Sequence, residues 1–264
     1  MLSLDLNELV GDWDCAPGEL AARQVRGRDG TPLLQLRVDL GVLQMRPDGR
    51  PDGTRYRGLP GVLAYIEHER RAGHDVFGGE HWQALDRELA QLNYRRLALT
   101  ALAEEALREG EEGAARQHLL RAVRDIAECE RVLRCQQTLR GHVGPHGALW
   151  PVLAFNHARL LCQLNVLERD YAAAVEACES GAETLRALVG ELSEEGGDGD
   201  EVGAVYLEEL ARQLRVQYEV EETLAERLAA ALEREEYETA KALQAEMKER
   251  EETRRARLRE VEGE

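Results

Sequence analysis

Apolar and polar positions change their spacing near residue 60. Before it, Leu34, Leu36 and Val38 alternate with Gln35, Arg37 and Asp39, the period of a strand with one buried face. A run from Leu20 to Arg28 precedes Asp29-Gly30 and a run from Leu33 to Leu40 follows it, and Asp-Gly between two such runs marks a β-hairpin. Gly41 separates a third run, Val42 to Met45, and PDGRPDG over 47–53 reads as a turn or loop. Residues 1–59 are therefore expected to form a β-hairpin or small three-stranded sheet, which must lean on other elements for stability.

From Pro60 apolar residues recur every three or four positions, the helical period. Val62, Leu63, Tyr65 and Ile66 open a short helix ended by Gly73, and longer helices are expected at about 82–108, 114–139, 150–167 and 171–192. Together these make a central helical domain over 60–192. SEEGGDGDEVG, residues 193–203, has the composition of an acidic linker, and the main domain boundary is placed there. In 204–264, Leu207, Leu210, Leu214, Gln217, Glu221, Leu224, Leu228 and Ala231 are spaced alternately three and four apart, a coiled-coil seam with a polar interruption. A tight turn near Glu235 then leads to a second helix bearing Tyr237, Ala240, Leu243 and Met247.

Three turns share a register: EGEEGAA from Glu109, ERDYAAA from Glu168 and REEYETA from Arg234. The helices around the first two resemble tetratricopeptide hairpins. Leu99, Leu102, Ala103, Ala106, Gly110, Ala115, Leu119 and Ala122 match in one copy, and Ala158, Leu161, Cys162, Tyr171, Ala174 and Cys178 in the other, where Gly181 replaces the usual Ala. Gly110 and Arg169, the equivalent turn positions, stand 59 residues apart, against about 34 in a regular array. The fold expected is mainly α: an irregular antiparallel helical bundle with a small N-terminal sheet and a C-terminal two-helix hairpin. A tetratricopeptide-like array with a peptide groove is the alternative.

Charge narrows the partners. The chain of 264 residues has a net charge of −17, and residues 191–264 alone hold 23 acidic against 11 basic side chains. Such a surface repels phosphate backbones and argues against direct nucleic-acid binding. Arg254, Arg255, Arg257 and Arg259 are flanked by acids, so intrahelical ion pairs are expected there. No apolar run is long enough for a transmembrane helix, and the acidic start MLSLDLNELVGDWD lacks the basic region of a signal peptide; a cytoplasmic protein is expected. The five cysteines are odd in number and unevenly spaced, unlike a secreted disulfide framework.

Catalytic motifs are missing: there is no phosphate-binding G-x-x-x-x-G-K-[ST] loop, no strand-linked G-x-G-x-x-G and no G-x-S-x-G elbow. Cys129, Cys135, His142 and His146 have zinc-compatible chemistry, but on a continuous helix the two Cys point about 120° apart. Core thiols and loop histidines are the expected outcome. His68, His74 and His81 cluster in sequence with nothing to hold them on one face. Neither a metal nor another cofactor is expected, and no enzymatic activity.

The segment Leu224 to Glu249, LAERLAAALEREEYETAKALQAEMKE, resembles the UVR motif, a helical hairpin named from a bacterial excision-repair helicase and its partner endonuclease. Leu224, Leu228, Ala231, Glu236, Tyr237, Glu238, Ala240, Ala242, Leu243, Glu246 and Met247 stand at matching positions, while Lys241 and Gln244-Ala245 depart from the pattern. The whole arrangement resembles bacterial proteins known only by a terminal UVR motif. The resemblance implies a protein-docking element, with Leu224, Leu228, Tyr237, Ala240, Leu243 and Met247 contacting a protein partner. The function expected is a non-enzymatic adaptor or scaffold. Alternatives are a homo-oligomeric structural protein using the same leucine seam, and an accessory factor of nucleotide excision repair.

Overall fold

The structure is a computed structural model that describes residues 10–11, 13, 15–16, 18–38, 41–192 and 201–263. The chain is mainly helical, with a small N-terminal antiparallel sheet and eight helices among the described residues. It divides into two compact units, Met1–Gly144 and Pro145–Glu264.

The first unit starts with β1 (Ala22–Arg26), β2 (Pro32–Val38) and β3 (Gly41–Met45), in the order β1-β2-β3. The Asp-Gly signal lies in the β1–β2 turn: Gly30 adopts φ +79°, and the Gly27 N–H donates to the Thr31 carbonyl. Ala22, Leu34, Leu36 and Met45 are buried on one face. On the other, Arg23 donates to Gln35 (2.8 Å) and Gln35 to Gln44 (3.0 Å), a polar ladder across the three strands. The sheet packs on α2 (Gly79–Glu109), which pairs with α3 (Glu112–Arg140); α1 (Val62–Arg71) packs on α2 as well.

Charged side chains reach deep into this unit. Along α2 the apolar phase reads Leu85, Glu88, Leu92, Arg95, Leu99, and all five are buried. Arg95 (side chain 2% exposed) forms a two-pronged pair with Asp125 of α3 (1%), at 2.6 and 2.7 Å. Its remaining nitrogen donates to the carbonyls of Arg46 and Gly49. Arg124 adds bonds to Asp48 (2.6 Å) and the Pro47 carbonyl (2.9 Å), so the 47–53 loop is clamped onto the helix pair. The Glu88 carboxylate accepts from the Val62 and Leu63 N–H groups and thereby caps α1, which begins after Gly61 without a side-chain cap of its own.

The second unit holds α4 (Leu149–Leu167), α5 (Tyr171–Leu192), α6 (Glu201–Tyr218), α7 (Leu224–Glu233) and α8 (Tyr237–Gly263). Its core interleaves α4, α5 and α6 through small residues: Ala154, Ala158 and Cys162; Ala174, Cys178 and Ala182; Ala204 and Ala211, with Val175, Leu185, Leu207 and Leu214. At the closest crossing a Cβ added to Gly181 would stand 2.2 Å from the Ala158 Cβ. A side chain at position 181 is therefore excluded by the Ala158 methyl of α4.

Two features differ from the sequence reading. The boundary between the units falls in the chain at 144–145, inside the stretch 60–192 read as one helical domain, and α6 buries Ala204, Leu207, Ala211 and Leu214 in the same cluster as α4 and α5. Of the proposed linker 193–203, residues 193–200 lie outside the described residues, and 201–203 already belong to α6. The seam from Leu207 to Ala231 is also not continuous. Helix α6 ends at Tyr218, Glu219 turns at φ +53°, and α7 starts anew, so Leu207 and Leu214 face one core and Leu224 another. Among the described residues no helix is long and apolar enough to cross a membrane.

Candidate functional site

The C-terminal hairpin is built from local signals. Thr223 opens α7 with a capping box: its side chain accepts from the Glu226 N–H, and the Glu226 carboxylate accepts from the Thr223 N–H (2.8 Å). That N–H and the Arg215 guanidinium hold the Glu226 carboxyl below the usual carboxylate range. At the other end of α7, Glu235 takes a left-handed φ of +59° and the Glu236 N–H closes the turn onto the Ala231 carbonyl. Ala231 and Ala240, small residues on either side of that turn, let α8 return close to α7.

The six residues expected to meet a partner divide sharply. Leu224, Ala240 and Leu243 are 3–4% exposed and form a cluster with Ala231, with Leu228 and Met247 packed against it. These five face one another across the hairpin instead of facing outward, because two amphipathic helices joined by a short turn bury each other's apolar stripe first. Tyr237 alone projects, at 67% exposure, and Leu232, on the other side of the turn, is 47% exposed. The hairpin tip is thus its apolar exposed part.

Its base is tied down by charge. Arg215 of α6 bridges Glu179 of α5 (2.9 Å) and Glu226 of α7 (2.7 Å), and the Ala225 N–H donates to Glu176 (3.0 Å). From α8, Arg250 pairs with Asp170 (3.3 Å) and Arg257 with Glu168 (2.6 Å), both acids of the α4–α5 turn. The sequence reading expected intrahelical pairs for the C-terminal arginines. Arg255 makes one with Glu251, whereas Arg257 reaches the α4–α5 turn. A shallow open cleft between the α4–α5 and α6–α7 turns mixes Arg169 and Arg227 with Asp170, Glu219, Glu221 and Glu222, and the Tyr171 and Tyr218 rings stack 3.8 Å apart at its edge.

The other sequence candidates do not converge. Among the described residues no group of three His, Cys, Asp or Glu side chains could hold a metal ion. Cys129 is buried with its thiol against the Leu89 carbonyl and pushed up by burial, Cys135 is half-buried, and His142 is exposed and bonded to the Val143 carbonyl. His74 pairs with Glu69, while His81 stacks on Tyr65 and bonds Tyr56 (2.8 Å). Sequence reasoning missed that aromatic cluster, which Arg57 covers from above Tyr56 and Tyr65, and it missed the Arg95–Asp125 clamp. Both Glu88 and Arg95 were detectable as charged residues in the apolar phase of a helix. Comparison with protein-family models, with curated proteins and with solved structures finds no match to this chain.

Proposed function

We propose that the protein is a non-enzymatic adaptor whose C-terminal hairpin, similar to the UVR motif, docks a protein partner. The observation that carries this reading is the exposed tip: Tyr237 and Leu232 flank a closed turn on a hairpin whose remaining stripe is internally satisfied. Aromatic side chains of this exposure are common anchors in protein interfaces, because they bury a large area at low entropic cost. Docking through the tip leaves the stripe residues to shape the hairpin, with Tyr237 as the direct contact.

Self-association is a second reading, favoured by the outer face of α6, where Val202, Val205, Tyr206 and Val216 are all at least half exposed. One pair of measurements separates the two. The full-length chain and its Tyr237→Glu/Leu232→Glu variant are compared for partner capture and for mass by light scattering. The adaptor reading expects a partner retained by the native chain and lost by the variant, with both monomeric. A mass that rises with concentration equally in both chains supports self-association, and equal capture by both chains rejects the tip.

A further inference from the structure

Cys162 on α4 and Cys178 on α5 have no part in the reading above, and they meet in the core of the second unit. Both belong to the α4–α5–α6 cluster, at 3% and 0% exposure. In an antiparallel helix pair, a turn forward along one helix comes opposite a turn back along the other. Cys162 lies four residues beyond Ala158, and Cys178 lies three residues before Gly181. The two cysteines therefore occupy the layer next to the Ala158–Gly181 crossing, where the helices approach as closely as a glycine allows. Each thiol's affinity for its proton is set first by the other thiol. Each Cα lies about 2.3 Å from its helix axis, so opposed Cα atoms of a pair packed this closely come within the reach of a disulfide, which spans about 4.4–6.8 Å.

We propose that Cys162 and Cys178 are a dithiol that hydrogen peroxide converts into an intramolecular disulfide joining α4 to α5. Cys178 favours the Cys162 thiolate, while Cys162 and burial keep Cys178 protonated. Cys162, 3% exposed against 0% for Cys178, is the attacking sulfur. Its thiolate attacks one peroxide oxygen; an S–O bond forms, the O–O bond breaks, and the departing hydroxide leaves as water with the proton Cys162 gave up. The Cys178 sulfur then displaces the sulfenic hydroxyl; the S–S bond forms, the S–O bond breaks, and the hydroxyl departs as a second water with the Cys178 proton. The two sulfurs together lose two electrons and the peroxide gains two. Peroxide is small and uncharged, which suits entry to an apolar core layer. The bridge closes a loop with 15 residues between the two cysteines around the α4–α5 turn. It also adjoins Glu179, the α5 carboxylate that receives Arg215, so oxidation stiffens the helix pair to which the hairpin is tied.

The test treats the native full-length chain with hydrogen peroxide, blocks remaining thiols with N-ethylmaleimide in denaturant, and maps the unreduced digest by mass spectrometry. The expected product is one species linking the Cys162 and Cys178 peptides, reversed by dithiothreitol, with these two of the five thiols lost to the bridge. Cys178→Ser abolishes that species and leaves Cys162 as its sulfenic or sulfinic acid. Should the variant fail to fold, the map of the native chain decides alone. A bridge that forms only in denaturant, a bridge to another cysteine, or Cys162 and Cys178 remaining thiols after peroxide treatment each overturns the proposal.

Discussion

Gly181→Ala sets two physical effects of opposite sign against each other. Alanine in a helix interior is favoured over glycine by about 1 kcal/mol, because the unfolded chain loses less backbone freedom on folding. Against this, the new methyl would stand 2.2 Å from the Ala158 Cβ, where carbon atoms come to rest about 3.5–4.0 Å apart. The obstacle is a Cβ fixed to the α4 backbone and cannot swing away, so the helices must part by more than 1 Å and open the Cys162–Cys178 layer. Overpacking of a core costs about 1–3 kcal/mol, and a contact this short belongs at or above the top of that range. The net expectation is a loss of about 2 kcal/mol. Ala158→Gly alone costs about 1 kcal/mol of helix propensity, but it vacates the space the new methyl needs. The double variant should therefore lose no more than about 1 kcal/mol, where additivity demands about 3. With two compact units in the chain, a single unfolding curve mixes their transitions, so hydrogen exchange of α4 and α5 amides is the better assay. A loss of about 2 kcal/mol appears as exchange roughly thirtyfold faster. Exchange in Gly181→Ala as slow as in the native chain, or additive losses in the double variant, would refute the close-packing argument.

Other consequences follow from the same contacts. Arg95→Met strands the Asp125 carboxylate, leaving it only Arg124, and should cost about 3 kcal/mol; Arg95→Met/Asp125→Leu should recover most of it in thermal melts. Equal destabilisation by the single and double changes would count against a buried pair. His118 is held down to about 4, first by burial and then by Arg121, and its buried Nδ1 has no hydrogen-bond partner. Between its ordinary value near 6.5 and about 4 the unfolded chain takes up a proton that the folded chain refuses. Its contribution, roughly 3 kcal/mol at most, is complete above pH 6.5 and is lost as pH falls toward 4. Urea titrations at pH 7.5 and 4.5 should show His118→Gln losing less stability on acidification than the native chain, and parallel losses would contradict the assignment. Thr223→Ala removes the capping box and should cost about 1 kcal/mol, read as faster exchange confined to α7 and the tip. Unchanged exchange there would mean that the Arg215 and Glu176 contacts hold α7 without its cap.

Much of the local structure was legible. The strand over Leu33–Val38, the loop at 47–53 and the helices from Val62 to Leu192 follow from a period of two giving way to 3.6, with glycines as stops. Gly110 and Gly141 end α2 and α3 in the left-handed conformation that such stops provide. The hairpin of Leu224–Met247 was legible for the same reason, since its stripe, cap and turn are all local. The candidate contact residues were only half legible. Periodicity identifies Leu224, Leu228, Ala240, Leu243 and Met247 as one apolar face but carries no information about what covers it.

Sequence alone determined which stretches are strand and which are helix over most of the chain, which face of each is apolar, and that the last quarter is strongly acidic, because these depend on neighbours a few residues apart. Tertiary structure decided which faces meet. It put α6 with α4 and α5, since Leu207 and Ala211 gain more from that small-residue core than a seam continued through Gln217 and Glu221 could offer. It made Gly181 a packing requirement, because the need arises from Ala158 on another helix. It placed Arg95 opposite Asp125 across 30 residues of chain, turning two charges in apolar phase into the clamp for a loop nearly fifty residues upstream of Arg95. Each of these rests on contacts between residues distant in sequence, and burial is decided by such contacts, not by the pattern that prepares a residue for them.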